Sequence, residues 1–290
     1  MKVIPVIPRG YCHGVVRAIR TVEQVLNDPS FPRPIHLLGR IVHNEFVVES
    51  FRQKGVLCWD EPGKTRKELL DRIESGTVVI TAHGVGNDVW EIIRKKKLAA
   101  VDATCPDVYR THELIMDRTN RGIQILYIGK KGHPETEGAV SLSPLVGLIE
   151  RMEDIPSLPD ISGPVCITNQ TTLSIREIRP IIEALRIRYP QAEVADEICP
   201  ATRSRQEALL TANRQADACV VVGDPRSNNT ASLARLSETE SRIPTFRIAS
   251  AADLSPERFQ GFGSVTVTSG ASTPPEITEE VIRWLQSLPF

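Results

Sequence analysis

The sequence has no excess of basic charge: 35 Lys and Arg stand against 36 Asp and Glu, a net charge of −1 over 290 residues. Proteins that grip a nucleic-acid backbone normally carry a basic surplus, so nucleic acid is not expected as a partner. No apolar run approaches the roughly 18 residues that a membrane helix needs, and no membrane association is expected. Pro5 and Pro8 interrupt the apolar N-terminal stretch, which lacks the pattern of a signal peptide. The expected compartment is the cytoplasm. In that compartment Cys12, Cys58, Cys105, Cys166, Cys199 and Cys219 do not read as disulfides, and the absence of any C-x-x-C pair argues against structural zinc. Two nucleotide motifs fail as well. Cys58 stands where a P-loop ending in Gly63-Lys64-Thr65 needs glycine, and Gly84-Val85-Gly86 lacks the third glycine of a dinucleotide fingerprint. Without a nicotinamide site, electrons for any redox reaction must come from another protein.

What is present is an alternation of strand-like and helix-like segments along most of the chain. Residues 35–39, 77–82, 123–129, 165–169, 218–223 and 264–270 are short apolar runs. Residues 15–26, 65–73, 108–119, 175–188 and 204–215 have helical periodicity. Such alternation predicts an α/β protein with parallel sheets. The length suits two globular units or three small ones. The basic run 94–97 reads as a solvated helix end.

A weak internal repeat sharpens this. Cys12, Cys105 and Cys199 each end a short apolar run just before a helix, and they are 93 and 94 residues apart. Each is followed by a strand ending in a polar turn, at His43-Asn44, at His133-Pro134-Glu135 and at Ser227-Asn228-Asn229. A further strand in each repeat ends at His83, at Thr171 or at Ser272. The repeat predicts three lobes over 14–104, 105–197 and 198–290, with residues 1–13 joined to the third.

Ligands of open parallel sheets bind beyond the carboxyl ends of strands. Three such lobes facing a common centre would gather three thiolates and six polar turns. Three thiolates without a fourth suit an iron–sulfur cluster with one open iron, or a catalytic zinc with an open position. Turns rich in His, Ser, Thr and Asn at helix starts suit phosphate or diphosphate. His13, His36 and His112 lie off the repeat and read as structural, as do Cys58, Cys166 and Cys219 within apolar strands. Glu135 is a candidate general acid, and Glu137 competes with it or caps the following segment.

The stretches PRGYCHGV (8–15), IVHNEFVV (41–48), TAHGV (81–85), DATCP (102–106), GHPETEG (132–138), TNQTTLS (168–174), EICPATRSRQEA (197–208), GDPRSNN (223–229) and GASTP (270–274) closely resemble the 4-hydroxy-3-methylbut-2-enyl diphosphate reductases of the non-mevalonate isoprenoid pathway. The resemblance implies three α/β lobes in pseudo-threefold arrangement around one 4Fe–4S cluster. Cys12, Cys105 and Cys199 would hold that cluster, leaving one open iron for substrate. It further implies that His43, His83 and His133 surround the substrate, and that Ser227, Asn228, Asn229 and Ser272 bind its diphosphate. Thr171 would bond near the substrate hydroxyl and Glu135 would supply protons. The implied reaction is reductive dehydroxylation to isopentenyl and dimethylallyl diphosphates. Its electrons would come from a ferredoxin- or flavodoxin-type protein. Pro200 and Ser204 depart from the family pattern, and no appended RNA-binding module is expected. The competing readings are a redox-neutral iron–sulfur hydro-lyase and a non-catalytic metal-binding protein.

Overall fold

Three parallel four-stranded sheets, each with its helices, account for the alternation read in the sequence. The computed structural model describes residues 1–289. The chain opens on β1 (Lys2–Pro5) and α1 (His13–Asn27). The first sheet follows, as β2 (Ile35–Leu38), α2 (Glu45–Gln53), β3 (Leu57–Trp59), α3 (Arg66–Leu70), β4 (Thr77–Ile80), α4 (Asn87–Lys95) and β5 (Ala99–Asp102). After α5 (Pro106–Asn120), the second is built from β6 (Gln124–Ile128), α6 (Pro134–Val140), β7 (Val146–Ile149), β8 (Val165–Asn169), α7 (Ile175–Arg188) and β9 (Glu193–Val194). The third uses α8 (Pro200–Asn213), β10 (Ala218–Val222), α9 (Asn228–Leu236), β11 (Thr245–Ile248), β12 (Ser264–Ser269) and α10 (Pro275–Gln286). Among the described residues, no helix is long and apolar enough to cross a membrane.

Strand order is the same three times: β3-β2-β4-β5, β7-β6-β8-β9 and β11-β10-β12-β1. The second strand of each lobe lies outside the first, the third lies on its other side, and the fourth comes last. In the last sheet that fourth strand is β1, paired in parallel with β12. The central strands β2, β4, β8 and β10 are buried throughout, and β6 is buried in all but its first residue. Covering a parallel sheet on both faces requires such near-continuous apolar strands. One face of the second sheet packs Leu126, Ile128 and Ile167 against Ile178, Ile181 and Leu185 of α7.

By contacts the chain groups into two compact units. One comprises Met1–Val15, His43–Val47 and Cys199–Phe290 and holds the third sheet. The other comprises Val16–Val42 and Val48–Ile198 and holds the first and second sheets.

The basic run at the end of α4 does more than face water. Lys96 Nζ donates to the carbonyls of Leu70, Asp71 and Ile73 and pairs with Glu74, so it caps the end of α3. A cation is favoured there because the last carbonyls of a helix lack partners.

Candidate active site

The first and third strands of each lobe are neighbours, and they end level: Leu38 beside Ile80, Ile128 beside Asn169, and Val222 beside Ser269. The chain reverses its direction of winding between them, which is where open α/β sheets bind ligands. His43 and His83 follow β2 and β4, His133 and Glu135 follow β6, Thr171 follows β8, and Ser227 and Ser272 follow β10 and β12. The cysteines follow the fourth strands: Cys105 after β5, Cys199 after β9 and Cys12 after β1. Every repeat position therefore lies beyond a strand's carboxyl end.

In the unit with the first two sheets, Cys105 caps α5 and its N–H donates to Ala82 O at 3.0 Å, just before His83. The His83 and His133 rings meet edge-to-face, with centroids 5.6 Å apart. His133 caps α6, and its Nδ1 accepts from Glu135 N at 3.2 Å, which puts the proton of the neutral ring on Nε2. Glu135 is 2% exposed, and its Oε1 accepts from Thr171 N at 2.6 Å. Burial pushes its pKa up to about 7, against the pull of the Thr171 backbone and side-chain bonds; the Asp107 charge pushes the same way as burial. A carboxyl group that holds its proton near neutral pH is suited to general acid work.

In the unit with the third sheet, Cys12 N donates to Ala271 O at 3.1 Å, just before Ser272. The bond repeats the one between Cys105 and the His83 turn. Ser272 Oγ donates to His43 O at 2.8 Å. Asn229 Oδ1 accepts from Ala271 N at 3.0 Å, and its Nδ2 donates to Thr202 Oγ1 at 3.3 Å. Thr202 in turn lies 3.2 Å from Cys199 Sγ, which accepts from Thr202 N at 3.4 Å. Ser227 caps α9 through Thr230 N, with Asn228 and Asn229 in its first turn. A side chain on Gly223 or Gly270 would meet Thr230 Oγ1 at 2.3 or 2.1 Å, so only glycine lets these two turns approach α9. The open N–H groups of a helix start, ringed by short polar side chains, suit an anion.

A family model described as LytB protein matches residues 3–286. The 4-hydroxy-3-methylbut-2-enyl diphosphate reductase of Symbiobacterium thermophilum is 48% identical over 288 residues, covering 99% of this chain and 97% of that one. The Bacillus subtilis protein of the same name is 46% identical over 287 residues, covering 99% and 91%. The chain belongs to the LytB family. Solved structures agree. The Plasmodium falciparum E-1-hydroxy-2-methyl-but-2-enyl-4-diphosphate reductase matches this LytB-family enzyme at TM-score 0.92 and 30% identity, covering 100% of this chain and 89% of that one. A second structure, described as (E)-4-hydroxy-3-methyl-but-2-enyl diphosphate reductase, the terminal enzyme of the non-mevalonate pathway, matches at 0.67 and 30%, covering 99% of each chain.

Several residues of the LytB-family enzyme have structural tasks. His36 Nε2 bonds Ser75 O at 2.9 Å and its Nδ1 accepts from Trp59 Nε1 at 2.9 Å. His112 is buried against Gly84 and Gly138, and burial drops its pKa to about 4. Cys166 and Cys219 are fully buried in strands, and Cys58 is half-buried in β3. Glu137 does not cap the segment that follows it but reaches the start of α3. Its Oε1 accepts from Arg66 N at 2.7 Å, and its other oxygen faces the buried Arg66 guanidinium at 3.9 Å. Pro200 occupies the first position of α8, as Pro106 does in α5, where a missing N–H costs nothing. Ser204 is exposed and bonds only Ala201 O. Thr202 and Arg205 escape a reading of the sequence, although both lie in the quoted stretch 197–208; what gives them meaning is contact with Cys199, Asn229 and Gly10.

Proposed function

We propose that this LytB-family enzyme reduces 4-hydroxy-3-methylbut-2-enyl diphosphate to isopentenyl and dimethylallyl diphosphates, consuming two electrons and two protons and releasing water. The observation that carries the reading is 48% identity to a reductase of that name across 99% of the chain. The donor set fits one 4Fe–4S cluster on Cys12, Cys105 and Cys199. Each of these cysteines directly precedes a helix. Three thiolates leave one iron without a protein ligand. Bound there, the cluster supplies electrons and a Lewis-acidic open position.

The chain's own residues supply the rest. Glu135 holds a proton near neutral pH and hands it to the departing hydroxyl. Thr171, bonded to that carboxyl group, orients the hydroxyl end. His43, His83 and His133 surround the substrate. Ser227, Asn228, Asn229 and Ser272 hold the diphosphate. A ferredoxin- or flavodoxin-type protein delivers the electrons, and the reaction belongs in the cytoplasm. With anaerobically reconstituted protein, a chemical reductant and the hydroxylated diphosphate, both products should form with two electrons consumed per molecule. Turnover without reductant would instead establish a redox-neutral hydro-lyase.

Replacing Ser227, Asn229 or Ser272 by Ala should weaken diphosphate binding by about 1–3 kcal/mol each, the scale of a hydrogen bond to a charged group. Ser227 also caps α9, so its variant should lose about 1 kcal/mol of stability as well. Calorimetric titration beside thermal melting separates the two losses. Unchanged affinity in all three variants would remove the anion site.

A further inference from the structure

Arg205 lies in the second turn of α8 and is 3% exposed. Its Nη2 donates to Gly10 O at 2.8 Å and its Nη1 to Ala201 O at 2.9 Å. Nε finds no acceptor, and no carboxylate pairs with the guanidinium among the described residues. Arginine stays protonated throughout the working pH range of a protein, so this unit encloses a full positive charge without a protein counter-ion. Such a charge is costly unless an anion faces it. Burial weakens the guanidinium's hold on its proton, and the neighbouring Cys12 and Cys199 sulfurs strengthen it.

The fork is also aimed. Gly10 is two residues before Cys12, and Ala201 is two residues after Cys199. Gly10 sits at φ +70°, a left-handed conformation suited to glycine, and its N–H donates to Ser269 Oγ at 2.8 Å. Gly10 is thereby held at both its N–H and its carbonyl. One side chain thus joins the two cysteine-bearing segments of this unit and places its charge beside both sulfurs.

We propose that Arg205 is a positioning residue for the cluster, fixing the spacing of Cys12 and Cys199 and raising the reduction potential by offsetting negative charge. This rests on the three-cysteine reading above. One electron from the reduced donor protein adds one negative charge beside Arg205, and a fixed cation favours that state over the oxidised one. Net charge and hydrogen bonding are among the levers that set iron–sulfur potentials.

The test compares full-length wild type, Arg205→Lys and Arg205→Gln after anaerobic reconstitution with iron and sulfide. Midpoint potentials come from a redox titration followed by electron paramagnetic resonance, and cluster retention from iron release to a chelator. Arg205→Gln should have a more negative midpoint than wild type, and Arg205→Lys should stay close to wild type. Both should release iron several-fold faster, because neither side chain spans Gly10 and Ala201 together. Equal midpoints in all three proteins would overturn the assignment. So would loss of the cluster in both variants, which would make Arg205 a purely structural residue. A wild-type protein that forms no cluster would bring down the three-cysteine reading itself, and this assignment with it.

Discussion

Replacing Cys12, Cys105 or Cys199 by Ser should abolish iron–sulfur loading, and turnover with it. An alkoxide is a hard ligand, poorly matched to an iron–sulfur core that selects soft thiolate. With only three protein ligands, losing one leaves two irons open. The same change at Cys166 or Cys219 should leave iron content nearly normal. Burial raises the Cys166 thiol to about 11 and raises Cys219 as well, so both stay protonated. Thr266, Ser237 and Asn213 surround the Cys219 thiol with polar groups that can satisfy a serine hydroxyl. Cys58, half-buried in the edge strand β3, should be equally silent. Iron and sulfide content, with visible absorbance after anaerobic reconstitution, is the measurement. Cluster loss in Cys219→Ser beside retention in Cys199→Ser would refute the ligand set.

Glu135→Gln should lower turnover by about 10²–10⁴-fold, the usual worth of a general acid. Glutamine keeps the shape and still accepts from Thr171 N, but has no proton to release. Cluster content and substrate affinity should remain close to normal. The same variant has a second signature in the apoprotein. Folding raises the Glu135 pKa from 4.5 to about 7. Below pH 4.5 the carboxyl group is protonated in both states and contributes no pH dependence. Between 4.5 and 7 the unfolded chain releases the proton while the folded one keeps it, so stability falls as pH rises. The loss is complete above about pH 7 and amounts to about 3 kcal/mol. Glu135→Gln should remove that slope and melt higher than wild type at pH 8. Glu137→Gln separates the two carboxylates: it should keep most activity but lose about 1–2 kcal/mol of stability, because Arg66 loses a charged partner. A near-normal Glu135→Gln rate beside an inactive Glu137→Gln would reverse the roles.

The six apolar runs read from the sequence are β2, β4, β6, β8, β10 and β12, the first and third strands of the three lobes. They are legible because sheets covered on both faces demand unbroken apolar strands. The edge strands carry no such signal. Residues 99–102, AAVD, are only half-buried, and β9 is two exposed residues. The cysteine spacing was legible because every repeat places a cysteine after its fourth strand. The repeat joins residues 1–13 to the third lobe, but that they enter it as β1, a parallel strand beside β12, was not legible, since pairing between Lys2 and Ser264 leaves no local trace. Glu135 and Glu137 look alike in the sequence; one reaches Thr171 and the other Arg66, and only folding separates them. Arg205 is hidden for the same reason, its partner Gly10 lying 195 positions away.

The late pairing of β1 has a consequence for assembly on the ribosome. Its partner β12 is made about 260 residues afterwards. At roughly 5–20 residues per second, β1 emerges some ten to fifty seconds before the strand it joins. Cys12 waits as long for the Ala271 carbonyl that holds it. The first two sheets draw all their strands from residues 35–194 and can form while translation continues. The third cannot close until the last strand has left the exit tunnel. If Cys12 is a cluster ligand as proposed, insertion would wait until β12 has emerged, and until then the nascent chain would carry an early thiol open to oxidation and stray metal.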